Sequence, residues 1–525
     1  MKIILFLITP LFLSSLASYS KIFSFDFREE RLNSIDEVSQ LMISNTWMSD
    51  GKAICNESKS QRYSQICSDG SGGAIITWED YRSGSNYDIY AQFVNSSGDL
   101  KWICNGIIIS EESEDQVAPR ICSDGSGGAI ITWEDYRNDN GDIFAQSVYS
   151  DGNIKWTANG IPICMTEGNQ QVPQICSDNA GGAIITWTDF NRSSPDYNIY
   201  IQGVNSTGDI KWDINGTVIC NSSDSQWFPQ ICSDESGGAI ITWEDYRNGN
   251  ADIFAQKIDS IGDIKWVING IPVCTSDGEQ KNPHICSDGS GGAIIAWEDN
   301  RSNSSYDIYA QRIDPNGNIL WIPNGTEVCV SNNNQEGAQL CNDGSGGAVI
   351  TWTDLKSDSS EDIYSQKISS TGDTQWAING IAICIASNKQ WHPQICSDES
   401  GGVIITWEDL RNGLFDIYAQ TIDPSGNIGW IANGIPICTA FHNQYFPQIC
   451  SDGSDGAIIT WFDYRSLPYS DIFVQFTKYA LETLSDEGKR SNAIPYGIYP
   501  LFFSIIATLS LIIIYQKRIY TNSKL

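Results

Sequence analysis

An aspartate stands two residues after a tryptophan at Asp80, Asp135, Asp189, Asp245, Asp299, Asp354, Asp409 and Asp463. A base follows each: Arg82, Arg137, Arg192, Arg247, Arg301, Lys356, Arg411 or Arg465. A second acid precedes Ile-Tyr or Ile-Phe at Asp88, Asp142, Asp252, Asp307, Asp362, Asp416 and Asp471, with Asn198 the lone change. Two carboxylates flanking a guanidinium are the parts of an acid–base pair. Such a pair works only when one carboxyl is pushed up and the other stays ionised, which needs two different environments. A motif written eight times offers equivalent ones. The expected role is therefore a hairpin brace, in which each Arg forks to both carboxylates of its hairpin.

Function is sought where the repeats differ. Just before the recurring "PQIC", most units carry small or polar residues, but Trp391 and His392, Tyr445 and Phe446, and Tyr63 break the pattern, and Trp227 and Phe228 do so elsewhere. Flat apolar rings with polar edges beside Arg and Asp suit a sugar ring or a protein partner. Trp391, His392, Tyr445, Phe446 and Tyr63 are the candidate ligand site, with cover for the hydrophobic core as the competing role.

Sixteen cysteines recur at fixed places. The pairs Cys55/Cys67, Cys164/Cys176, Cys220/Cys232, Cys274/Cys286, Cys329/Cys341, Cys384/Cys396 and Cys438/Cys450 lie twelve apart. In an exported chain this pattern predicts seven short-loop disulfides, with Cys104/Cys122 left open because Ser110 occupies the expected cysteine place. No metal or cofactor is expected, since the chain has three His and no Cys-x-x-Cys pair.

These residues are positioned by a repeat of 54 to 56 residues, anchored at Trp78, Trp133, Trp187, Trp243, Trp297, Trp352, Trp407 and Trp461. Each unit reads as four strands, as in Pro229 to Asp234, Gly237 to Asp245, Asp252 to Asp259 and Gly262 to Trp266, with Gly-rich turns between. The run "AIITW" lacks polar alternation and suits a strand covered on both faces. Four-stranded units stacked side by side form a propeller. "WMSDGKAIC" at Trp47–Cys55 matches "WTANGIPIC" at Trp156–Cys164, so the chain opens with the last part of a repeat, and the final repeat lacks that part. An all-β, eight-bladed propeller over 47–478, closed by the N-terminal strand, follows.

The first residues, "MKIILFLITPLFLSSLASYS", read as a signal peptide at 1–17, followed by a segment at 18–46. After a linker at 479–493, residues 494–515 are uncharged and apolar, and Lys517 and Arg518 follow in a tail at 516–525. This predicts a single membrane span with the propeller outside and the C-terminus cytoplasmic. Asn-x-Ser/Thr triplets at Asn56, Asn95, Asn191, Asn205, Asn215, Asn221, Asn303 and Asn324 suit a glycosylated exterior. A net charge of −33 without a basic stripe excludes nucleic acid.

The units, as in "DGSGGAIITWEDYR" with "DIYAQ" further on, resemble secreted or membrane-anchored β-propeller repeat proteins of bacteria and archaea. The resemblance implies architecture, since this fold hosts unrelated functions. A likeness to the Asp-box of sialidase propellers breaks on spacing, and that chemistry is not carried over. The sequence-based expectation is a non-enzymatic surface receptor or adhesin for glycans or proteins. An extracellular enzyme, either a glycoside hydrolase or a quinoprotein-like dehydrogenase, and a structural envelope component are the other classes.

Overall fold

The computed structural model describes residues 47–190, 192, 196–355 and 360–478. The expected signal peptide, membrane span and tail lie outside the described residues, as do Lys356 and Asn191. The described chain is all-β and forms eight antiparallel four-stranded sheets. Blade four serves for all: Gln226–Ser233, Ala239–Asp245, Asp252–Ile258 and Ile271–Cys274, hydrogen-bonded in chain order. First strands of successive blades touch one another all the way round, and that of blade eight touches that of blade one. They therefore surround the axis, and the fourth strands form the rim.

Unbroken apolar second strands are explained by this stacking. Ala239–Asp245 is buried at every residue because neighbouring blades cover both faces. Trp243 is fully buried and stacks on Phe254 of the third strand, centroids 6.4 Å apart. Gly270, in the turn before the rim strand, lies flat against that indole at φ +85°. A Cβ there would come within 2.5 Å of the ring, so only glycine fits.

The ring closes as the sequence implies. The strand Lys52–Cys55 pairs antiparallel with Asp471–Lys478, with Lys52 opposite Val474 and Ala53 opposite Phe473. Gly51 sits on Trp461 as Gly270 sits on Trp243, and Arg465 donates to the Asp50 carbonyl at 2.7 Å.

The expected fourth strand needs correction. Gly262 to Trp266 makes one isolated bridge, Ile258 to Ile264, and the rim strand is Ile271–Cys274. The Gln256 side chain intercepts the ladder: its amide donates to Val267 O at 2.7 Å, and its oxygen accepts Trp266 N at 3.0 Å. Trp266 is thereby sent sideways to donate to Pro315 O of the next blade at 3.2 Å, over Gly317.

The expected disulfides are also corrected: all sixteen cysteines are free thiols. Cys274 lies in the rim strand of blade four and Cys286 in the axial strand of blade five. The same holds for Cys55/Cys67, Cys164/Cys176, Cys220/Cys232, Cys329/Cys341, Cys384/Cys396 and Cys438/Cys450. The twelve-residue spacing measures the crossing from rim to axis, so its members stand at opposite edges of adjacent sheets. Cys104 and Cys122 are unpaired too, one exposed in a turn and the other buried in an axial strand. Cys55, Cys220, Cys274, Cys384 and Cys438 instead accept a hydrogen bond from the next blade's arginine, as Cys220 Sγ does from Arg247 at 3.1 Å, whereas Cys164 Sγ lies 3.6 Å from Thr166 Oγ1. Ser110 takes that role for Arg137 at 3.3 Å, which accounts for the one missing cysteine.

Two outcomes check the fold. Deleting 47–55 leaves blade eight with a bare edge, so melting temperature and solubility of the full chain both drop; an unchanged melt refutes closure by this strand. In denaturant without reductant, a thiol reagent titrates all sixteen cysteines; a shortfall of two or more shows a bridge.

Candidate active site

The Trp-x-Asp is a buried hub in seven blades, and in blade six Trp352 Nε1 has no partner among the described residues. In blade four, Asp245 Oδ2 accepts Trp243 Nε1 at 2.8 Å, and its Oδ1 accepts Arg247 Nε at 2.7 Å and Arg247 N at 3.1 Å. Arg247 continues to Asn269 O at 2.8 Å and lies 4.0 Å over the Phe254 ring. The expected fork to both aspartates is corrected. Arg reaches only the first, because the second, Asp252, is held by the neutral amides of Asn248 and Asn250. Burial then raises the Asp252 pKa, and in blade one the same cause pushes Asp88 up to about 7. In Asp80, Asp135, Asp245, Asp299, Asp409 and Asp463 both oxygens are engaged, so the brace reading holds for them, whereas Asp189 Oδ1 has no partner among the described residues and burial raises that carboxyl to about 6.

The mouth of the channel is built by a repeated bulge. In the axial strand of blade four the register slips between Trp227 and Gln230. The slip recurs round the ring and places Tyr63, Ala118, Val172, Phe228, Asn282, His392 and Phe446 at φ between 50° and 55°, with Gly337 at 66°. Bulges re-aim a side chain, and Asn282, Gly337 and His392 of this set line one cavity. The bulge N–H is accepted by a glutamate of the preceding blade, one residue after its Trp: Ala118 by Glu79, Val172 by Glu134, Asn282 by Glu244, Gly337 by Glu298 and Phe446 by Glu408, at 2.7 to 2.8 Å. Thr188, Thr353 and Phe462 stand at that place in the other blades.

All five aromatic exceptions come together. Tyr63 and Phe446 are 5.7 Å apart, His392 stacks on Phe446 at 5.0 Å, and Trp391 is 6.3 Å from His392. Tyr445 joins through Phe415, 5.3 Å from both Tyr445 and Trp391. Phe462, buried, is the base of the cluster at 5.5 Å from Phe446. Tyr63 at 42% and Phe446 at 38% face solvent, while Trp391 and Tyr445 are half-buried, so one cluster both roofs the core and presents a surface. His392 Nδ1 lies 3.1 Å from Glu408 Oε1, and that contact raises its pKa against the effect of burial. Trp227 and Phe228 are not part of this cluster. They stand with Tyr197 on the opposite side of the mouth.

Beside the cluster the mouth opens into a cavity of about 520 Å³ lined by Asn282, Glu298, Glu336, Glu361, Trp391 and His392. It exists because the bulge residues of blades five and six, Asn282 and Gly337, are small. Glu298 is exceptional among its repeats. Glu79 is paired with Arg62 at 2.8 Å, Glu408 with His392, and Glu134 and Glu244 accept Tyr136 and Tyr246 hydroxyls at 3.1 and 3.2 Å. Glu298 has only Gly337 N at 2.7 Å and the neutral Asn282 amide at 2.9 Å. Burial therefore pushes it up to about 7, with Glu336 and Glu244 adding repulsion. Glu336 is exposed and accepts Asn334 Nδ2 at 3.0 Å. Glu361 is held by Lys389 at 3.0 Å, whose ammonium lies 4.5 Å from the Trp391 ring centre. Among the described residues, no group of three or more His, Cys, Asp or Glu is arranged to hold a metal.

No family model and no curated protein matches the chain. Solved structures do. A protein of unknown function from Dyadobacter fermentans is similar at 9% identity over 83% of this chain and 99% of its own, TM-score 0.36. The α-L-arabinofuranosidase of Fusarium graminearum, solved with arabinobiose, is similar at 8% identity over 83% and 98%, TM-score 0.37. A Hadza microbial sialidase is similar at 11% identity over 65% and 73%, TM-score 0.34. The expectation of a non-enzymatic chain is corrected. Within this chain Glu298 breaks the equivalence on which that expectation rested, since among the described glutamates at this place it alone has neither an ion pair nor a hydroxyl partner. The sequence missed Glu298 because it reads like every other "WED". The available signal was Asn282 and Gly337 standing where blades one, four, seven and eight carry aromatic rings.

Three histidines make the electrostatics measurable. By NMR, His392 titrates above the ordinary histidine range and Glu408→Gln brings it down, while burial holds His284 near 4. Because the folded pKa of His392 is raised, its contribution to stability is present below the unfolded value and lost as pH rises through the folded one. An unshifted His392 refutes the ion pair.

Proposed function

We propose that the mouth cavity binds a saccharide and hydrolyses a glycosidic bond. The observation that carries this reading is a pair of carboxyl groups in unlike surroundings within one cavity: Glu298, buried and raised to about 7, and Glu336, exposed. Glycoside hydrolysis uses such a pair. Protonated Glu298 gives its proton to the leaving oxygen as the C–O bond breaks, and the Glu336 carboxylate takes a proton from the water that attacks the anomeric carbon. Trp391 offers a flat wall for the sugar face, held in place by Lys389 and Phe415. The aromatic cluster of Tyr63, His392, Tyr445 and Phe446 extends that wall beyond the cavity, where further sugar units or a protein-linked glycan would lie. The chain works outside the cell on a membrane tether, a placing supported by the apolar 494–515 segment and the Lys517 and Arg518 that follow it.

The test is hydrolysis of a panel of aryl glycosides and plant and animal polysaccharides by the full chain. Glu298→Gln and Glu336→Gln each lower kcat by about 10²- to 10⁴-fold, and Trp391→Ala raises KM more than it lowers kcat. Activity declines as pH rises through about 7, because the acid form of Glu298 is lost there. Full activity in Glu298→Gln, or no hydrolysis of any substrate by the native protein, sinks the reading.

A further inference from the structure

A second ring of side chains circles the channel two residues beyond the bulge. Its members pair with the residue before each second-strand tryptophan, as Gln65 with Thr77, Arg120 with Thr132, Gln174 with Thr186, His284 with Ala296 and Gln339 with Thr351. Six of the eight are glutamine, and the exceptions are Arg120 and His284. Side chains at this level meet across blades, since Gln339 Nε2 lies 3.3 Å from His284 Nε2 one repeat away. His284 also lines the mouth cavity, so the ring is reached from outside at blade five.

Arg120 differs from the repeated arginines. Arg82, Arg137, Arg247, Arg301, Arg411 and Arg465 each hold an aspartate at 2.5 to 2.6 Å. Among the described residues no carboxylate lies within ion-pair distance of Arg120, whose Nη1 donates to the Pro119 carbonyl at 3.0 Å. Glu134 and Glu79 are the charges that act on it from a distance, but their oxygens are engaged by Val172 N, Tyr136 OH, Ala118 N and Arg62. Desolvation outweighs them and lowers its pKa, yet a guanidinium stays charged at neutral pH. A fixed cation without a counter-ion is costly inside a protein, and an anion entering the channel relieves that cost.

We infer that the channel is a separate binding site in which Arg120, flanked by the amides of Gln65 and Gln174, holds the carboxylate of a small acid or of an acidic saccharide. A planar guanidinium matches a carboxylate through two parallel hydrogen bonds, and neighbouring amides supply further donors. One cation close to two glutamates favours a monoanion over a doubly charged phosphate. The inference rests on Arg120 and stands apart from the hydrolysis assigned to Glu298.

The test is calorimetric titration of the full chain with glucuronate, glucose, acetate and inorganic phosphate. Native protein binds glucuronate saturably and more tightly than glucose. Acetate competition distinguishes a bare carboxylate site from one that also needs the sugar. Arg120→Gln, which installs the residue of six other blades, weakens glucuronate at least tenfold without lowering the melting temperature. Hydrolysis is read with Glu298→Gln and glucuronate binding with Arg120→Gln, so failure of the hydrolase reading is distinguishable from failure of this one. The inference is overturned if glucuronate does not bind saturably, if glucose or phosphate binds as tightly, if Arg120→Gln binds like native protein, or if that variant melts earlier, which would make the guanidinium structural.

Discussion

A carboxylate with no contact to solvent organises each blade. Asp245 and its equivalents in five other blades accept an indole N–H, a backbone N–H and a guanidinium, and the Arg247 guanidinium also reaches a rim carbonyl and the sulfur of the preceding blade. Desolvating such a carboxylate costs several kcal/mol, and loss of its partner leaves that cost unopposed. The hub therefore fixes the second strand, the hairpin and the rim turn together, and couples one blade to the next. The tryptophan that it orients is the plate against which the Asn-Gly turn lies, so rim geometry follows from the same interaction.

At the axial end a second device is repeated, with a different outcome. The bulge gives every blade one left-handed residue at the mouth, and the glutamate clamp holds its N–H in five of them. Backbone strain at such a residue costs of the order of 1–3 kcal/mol and persists because the surrounding hydrogen bonds over-determine it. With the backbone held constant, side chains at this position are free to vary. Rings in blades seven, eight and one make a wall, and Asn282 and Gly337 in blades five and six leave a cavity beside it.

Electrostatics follows the same division between repeat and exception. The chain is strongly acidic, and its repeated arginines are committed to hubs. Glutamates of the mouth are balanced by whatever the adjacent position supplies: a guanidinium at Glu79, tyrosine hydroxyls at Glu134 and Glu244, an imidazole at Glu408. Where the neighbour is a neutral amide, at Glu298, the carboxyl is driven toward its protonated form. One substitution in a partner thus changes the chemistry of a residue that is itself unchanged.

Periodicity, turn residues and the displaced "WMSDGKAIC" determined by themselves the number of blades and the closure of the ring, because those features are local and recur in register. The aromatic exceptions were legible too, since blade adjacency follows from the repeat count. Tertiary structure decided the rest. Evenly spaced cysteines looked like bridges until the sheet order put the members of each pair at opposite edges, rim and axis. The strand expected at Gly262 to Trp266 moved to Ile271–Cys274 because a buried glutamine side chain occupies the ladder, a competition that strand propensity does not register. Glu298 lacks the ion pair or hydroxyl that its repeats have, and Arg120 lacks a carboxylate within ion-pair distance, so desolvation goes less opposed at both, and that is a property of surroundings assembled from several blades rather than of any stretch of chain.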